Sequence, residues 1–206
     1  MAKKKVGSIK LELLQKSRES MLCAVQVYNN PAITFKAETF CVLAIISWTY
    51  LCHAFFKEKR IEYHYFKQVG RKRKFDKTKH GALKAWELER CLNDDNCPFD
   101  VATKANLRFL IGLRHEIEHQ MTTRIDDAVS AKFQACSINY ENEIKKLFGE
   151  KYSIASQLSM SIQFTGLSEP QVEMLEDLKD MPGNIAAFIN TFDKSLEEEI
   201  YKSTNY

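Results

Sequence analysis

"FCVLAIISWTYLCHAFF", residues 40 to 56, is the stretch on which the fold turns. It is apolar almost throughout, and it reads either as a bilayer span or as a helix buried on every face. Its length is at the short end of what crosses a hydrocarbon core, and His53 interrupts it, so the buried helix is the better reading and no membrane association is expected. Extended in both directions, the pattern predicts a helix from about Thr34 to Glu58, the central helix of a bundle.

Around that helix the chain is poor in breakers. Seven Gly and four Pro over 206 residues leave long apolar-periodic segments uninterrupted, and 45% hydrophobic with 28% charged residues suits one well-buried domain. A first helix runs from about Ile9 to Tyr28, carried by Leu11, Leu14, Met21, Leu22 and Val25, and ends at "NNP". After the central helix, "RIEYHYFKQVGRKRKF" alternates Ile61, Tyr63 and Tyr65 with polar residues and reaches a turn at Gly70, as a short β-hairpin would. "ALKAWELERCL", 82 to 92, reads as a short helix, and "NDDNCPFD" as a loop.

Helices are then expected from about Val101 to Met121 and from about Ile125 to Phe148, the second closing at Gly149. Residues 152 to 164 are ambiguous between strand and irregular structure. From a probable N-cap at Ser168, two amphipathic helices break at "MPGN", the second reaching about Tyr201. The expected fold is all-α for the most part: a helical core over 9–149 with a basic hairpin near 60–76, and a helical extension over 150–206 packing on it.

Six cysteines without any C-x-x-C pair, most among apolar neighbours, fit a reducing, cytoplasmic setting. The start, "MAKKKVGSIK", has the charge of a secretion signal, but Glu12, Lys16, Arg18 and Glu19 break the apolar run that should follow. The net charge of +3 hides an asymmetry. Residues 1 to 74 hold 15 Lys/Arg and 5 Asp/Glu, while residues 165 to 206 hold 3 and 9, so the first half offers a field for a polyanion.

The chemistry concentrates in "LRHEIEHQ", residues 113 to 120, which contains two motifs sharing a histidine. From His115 it is H-E-x-x-H: two imidazoles one helical turn apart, able to reach one zinc, with Glu116 as general base and "ENE" at 141 to 143 as a distant source of a third ligand. Glu118 directly before the second histidine departs from that pattern, and no H-x-x-G-x-x-H continuation follows. From Arg114 it is R-x-x-x-x-H, which needs no metal. Leu107, Leu110, Leu113, Ile117 and Met121 form the apolar stripe of the helix, with His115 and His119 on the opposite side and Arg114 at the stripe's edge.

"LRHEIEH" resembles the R-x(4-6)-H motif of the HEPN superfamily (higher eukaryotes and prokaryotes nucleotide-binding), in which a polar residue, here His115, often follows the arginine. "NNPAITFKAETFCVLAIISWTYLCHAFF" upstream and "NYENEIKKLFGEKYSIASQLSMSIQF" downstream are similar to a bacterial HEPN-like family, so the resemblance covers most of the chain. It implies a HEPN-like bundle and a homodimer whose motif helices meet in a composite, positively charged RNA cleft. It further implies a toxin or anti-phage role, with an antitoxin or sensor protein as partner. Some members carry a tyrosine two residues after the histidine that a partner antitoxin modifies; Met121 stands there, so that chemistry is not expected.

The side chains suit metal-independent RNA cleavage, with no cofactor. Such a reaction needs a base for the ribose 2′-OH and a cation for the phosphorane, roles that His119 and Arg114 can take. Products would carry 2′,3′-cyclic phosphate and 5′-hydroxyl ends, with tRNA a candidate substrate. His115, Glu118 and Asn106 are supporting residues: His115 for a phosphate or leaving group, Glu118 to hold Arg114 from one turn away, and Asn106 as a cap or cleft residue.

Arg71, Lys72, Arg73 and Lys74 on the hairpin are expected to grip RNA phosphates, with Tyr63, Tyr65 and Phe66 free to stack on bases; a solvated hairpin guarded by lysines is the equal alternative. Trp48, Trp86, Phe55 and Phe109 read as core, and His53 as a hydrogen-bonded interior histidine. A Cys52, His53, Cys91, Cys97 metal site has irregular spacing and little to recommend it. A HEPN-like dimer that binds RNA, nucleotide or protein without cutting is the alternative from another class.

Overall fold

Helix α1 (Val6–Asn29) and helix α2 (Lys36–Lys59) form an antiparallel pair in the computed structural model, which describes residues 6–118, 126–158 and 183–206. Two contacts fix the direction. Ser17 and Ser47 exchange hydrogen bonds, each Oγ donating to the other's carbonyl at 2.8 Å, and Lys10 pairs with Glu58 at 3.2 Å. Tyr140 meets the Ser17 hydroxyl at 2.7 Å, so this buried polar group ties three helices together with its bonding satisfied.

The run 40–56 is the core helix its pattern predicts. By length and composition α2 would cross a membrane, but more than half of its apolar window is buried, with Phe40, Cys41, Ala44, Trp48, Leu51, Cys52 and Phe56 almost fully enclosed. Around it pack α3 (Leu88–Leu92), α4 (Val101–Glu118) and α5 (Asp126–Phe148). Asp100 caps α4 by accepting the Thr103 amide at 2.6 Å, and Gly149, at φ +94°, closes α5. A 3-10 turn (Glu150–Tyr152) and the short α6 (Ala155–Leu158) follow. Helix α7 (Gly183–Lys194) lies on α4, and α8 (Glu198–Tyr201) completes the described chain. Gly112 permits that approach: a Cβ there would sit 2.5 Å from the Phe188 ring. The expected helices at 101–121 and 125–148 are found as far as they are described; residues 119–125 and 159–182, including Ser168, lie outside the described residues.

The hairpin is also present, though shorter than its alternation suggests. Strands β1 (Phe66–Val69) and β2 (Lys72–Phe75) pair with Phe66 opposite Phe75 and Val69 opposite Lys72. Gly70, at φ +59°, takes the first place of the two-residue loop, where a II′ turn needs a positive φ. The helix expected over 82–92 is confined to 88–92. Residues 82–86 are extended instead: Tyr65 donates to Lys84, Trp86 to Tyr63 and Thr78 to Ala82. Local helix formers yield here to burial of Trp86, whose carbonyl also takes a 2.8 Å hydrogen bond from His53. The last expected helix breaks at Ser195–Glu197 rather than running unbroken to Tyr201.

All six thiols are free and five are buried. Burial pushes Cys41, Cys52 and Cys97 upward and Cys136 to about 12, and likewise raises Tyr63, Tyr140 and Tyr206, and Tyr65 to about 12. Two groups move the other way: Cys91, lowered to about 6 chiefly by a hydrogen bond from Cys52, and Lys132, lowered to about 8 by burial. Above about pH 9 the unfolded chain releases thiol and phenol protons that the fold retains, so it binds fewer protons and stability falls with pH. Urea midpoints measured from pH 7 to pH 10.5 should therefore decline above pH 9; a rising midpoint would contradict the assignment.

Candidate functional site

The last turns of α4 carry the motif. The Leu107, Leu110, Leu113 and Ile117 stripe is buried, which turns His115 to the exposed side and leaves Arg114 at the core's margin. Arg114 lies across from the first turns of α2, where its charge acts on the Cys41 thiol. Its Nε and a terminal nitrogen both bond one oxygen of Glu118, at 2.8 and 2.7 Å, as the i, i+4 spacing predicts. The side chains of Arg114 and Glu118 are 41% and 47% exposed, so the pair is open to solvent or to a second molecule. His119 lies outside the described residues.

Of the other residues tied to this motif, Glu116 is engaged elsewhere: Asn184 of α7 donates to its carboxylate at 3.1 Å. Glu141 accepts from the Ser153 hydroxyl and the Ile154 amide, and Glu143 is buried against Lys146. The carboxylates that a zinc reading would enlist thus have structural partners. Among the described residues no three His, Cys, Asp or Glu side chains are grouped to hold a metal ion, Cys52, His53, Cys91 and Cys97 included.

Asn106 does not reach a cleft. It is fully buried, two turns before the motif, and its amide donates to the main-chain oxygens of Lys132 (3.0 Å) and Tyr206 (2.9 Å). Nearby, the Lys132 ammonium sits over the Tyr206 ring at 3.1 Å and pairs with Asp193, to which the Tyr206 hydroxyl also donates. Asn106 therefore pins the 198–206 segment to α4 and α5. Asn106→Ala should cost about 1–3 kcal/mol in urea unfolding by stranding both acceptors.

The hairpin cations are exposed, and the strands hold no acid. Lys67 faces Lys74 directly, a like-charge pairing that weakens a ribbon. The aromatic neighbours are less free than the sequence suggests. Tyr63 is buried and stacked on His53, the Tyr65 hydroxyl is bonded to Glu87, and Phe66 is covered by the Arg73 guanidinium at 4.7 Å. The packing that builds the α2–hairpin junction consumes these rings.

Motif and hairpin are separate within one protomer. Arg114 lies near Cys41 and the hairpin near Lys57, about 24 Å along α2 at 1.5 Å per residue. Between the end of α2 and the hairpin lies a cavity of about 660 Å³, whose cations Lys57 and Arg60 the sequence reading missed; "KEKR" at 57–60, a basic run at a helix end without glycine, was the available signal.

No curated protein and no solved structure matches the chain. One family model does, over residues 12–196, and by that match the chain belongs to the family described as Domain of unknown function (DUF3644).

Proposed function

We propose that the protein is a cytoplasmic, metal-independent endoribonuclease of the HEPN type, acting as a homodimer, with Arg114 as the cation for the phosphorane and His119 as the base for the 2′-OH. The observation that carries the reading is Arg114 itself. It sits at the end of α4 with its guanidinium outside the core, paired with an exposed carboxylate one turn away. A structural arginine would be expected to tie elements together, and among the described residues this one bonds within its own helix.

Two features support the dimer. The resemblance of "LRHEIEH" to the HEPN motif implies a site completed by a partner subunit's motif helix. On α2, Val42 and Ile46, one turn apart, are exposed apolar residues that a second copy of the chain would cover. In the composite site, Arg114 neutralises the non-bridging oxygens while the imidazole takes the 2′ proton; the 2′ oxygen attacks phosphorus and the 5′ oxygen leaves.

Incubation with bulk tRNA followed by end analysis tests the reaction. Cyclic-phosphate and 5′-hydroxyl termini are expected, and 5′-phosphate termini would overturn the mechanism. Light scattering at micromolar concentration should give twice the chain mass.

The Arg114–Glu118 pair also favours a second reading, a HEPN-like dimer that binds RNA without cutting, since Glu118 occupies the guanidinium. Folded, dimeric protein that binds tRNA and leaves it intact would select it.

A further inference from the structure

We propose that the cavity between the end of α2 and the hairpin binds the phosphate of a nucleotide unit. This site is distinct from Arg114; the phosphate contact does not rest on the ribonuclease reading, while the choice of RNA as its source does.

Three cations converge from three places in the chain: Lys57 in the last turn of α2, Arg60 at its C-cap, and Arg73 from β2. The single carboxylate in the lining, Glu62, is already bonded to the His64 amide (3.0 Å) and to His64 Nδ1 (2.6 Å). Glu58, beside the cavity in sequence, pairs with Lys10. Among the described residues no carboxylate pairs with Lys57, Arg60 or Arg73, so the cavity carries uncompensated positive charge.

Two of these groups are pre-positioned. Arg73 has its guanidinium carbon 4.7 Å from the centre of the Phe66 ring, a contact that restricts where the cation can go. Arg60 has φ +58° and ψ +30°, the left-handed conformation that a helix C-terminus normally gives to glycine. Two of the last α2 carbonyls are satisfied, Phe56 by the Ile61 amide at 2.8 Å and Lys57 by the Arg60 amide at 3.3 Å, which reduces the negative end of the helix that the three cations must outweigh.

The volume, about 660 Å³, is in the range for a nucleotide-sized ligand. Planar guanidinium donors in a cavity where three cations face the single carboxylate Glu62 favour phosphate over weaker anions. The hairpin continues the field outward, with five cations and no acid over 66–75.

The test is fluorescence anisotropy of a labelled short 2′-O-methyl oligoribonucleotide, which has no 2′-OH to attack, so binding is read whether or not the protein cuts RNA. Arg60→Gly with Arg73→Gln should weaken binding roughly tenfold or more and reduce the slope of log K against log salt by about 0.7 per lost contact. Arg60→Gly keeps the fold, because glycine suits that conformation better. Lys67→Gln with Lys74→Gln removes the same charge from the other face of the hairpin and should lower affinity several-fold less.

Competition by AMP separates two sources of the same phosphate: displacement at millimolar AMP assigns the site to a free nucleotide or RNA end, and its absence, with the Arg60 and Arg73 dependence intact, to backbone phosphates. Failure of the wild-type protein to bind, or equal loss in the two double variants, overturns the proposal.

Discussion

Arg114→Ala should reduce RNA cleavage by roughly 10²–10³-fold with little change in stability, because it removes a charge aimed at the transition state and no core contact. The side chain is 41% exposed and, among the described residues, bonded to Glu118 alone, so folding gains little from it. Arg114→Lys should fall between, keeping the charge but losing the two-pronged geometry. Glu118→Gln has the opposite sign: it frees the guanidinium from a pair worth at most about 1 kcal/mol and should raise cleavage up to about five-fold. Single-turnover rates on one labelled RNA check all three. Wild-type rates in Arg114→Ala would remove this residue from the chemistry.

Trp48→Ala should cost about 3–5 kcal/mol, the largest stability loss of any substitution considered. Trp48 has no exposed surface. It meets Phe99 and Tyr140 edge-on, at 4.9 and 5.5 Å between ring centres, and its indole N–H donates to the Cys136 sulfur at 3.2 Å. It thus joins α2, α5 and the segment leading into α4. Domains of this size are stable by about 5–15 kcal/mol, so the loss is a large share of the whole. Trp48→Phe should cost appreciably less, since it keeps most of the buried ring area and loses mainly one weak hydrogen bond to sulfur. Urea midpoints at constant m-value measure both, and a change below 1 kcal/mol for Trp48→Ala would mean that the centre of the bundle lies elsewhere.

The helices were legible because their signal is periodic burial over long segments. The run 40–56 named the core helix, and the Leu107 to Ile117 stripe set which way α4 faces. The sequence misleads at 82–87: "ALKAWE" has helical composition and reads as the start of a helix, while its extended conformation is set by non-local partners, Tyr63 and Tyr65. Tyr63 looked free for the same reason: its burial comes from His53, ten residues earlier on α2. For the site, the Arg114–Glu118 pair followed from local spacing, whereas the Lys57, Arg60 and Arg73 cavity joins residues from a helix end and a strand that no local motif connects.

Arg114 acts near the start of α2 and the cavity lies at its end, about 24 Å further along the helix axis, which suggests a division of labour. A strand anchored at the hairpin would reach the motif several nucleotides away, so the hairpin would set affinity and salt dependence while α4 sets rate. In those terms Arg60 and Arg73 substitutions should move KM, and Arg114 substitutions kcat.

The central claim is tested most directly by cleavage of bulk tRNA in excess EDTA by the wild-type protein and by His119→Ala. The account predicts that cleavage survives the chelator, leaves 2′,3′-cyclic phosphate ends, and is lost by roughly 10²–10⁴-fold in the variant. Cleavage abolished by EDTA and restored by zinc, or unchanged in His119→Ala, would contradict it.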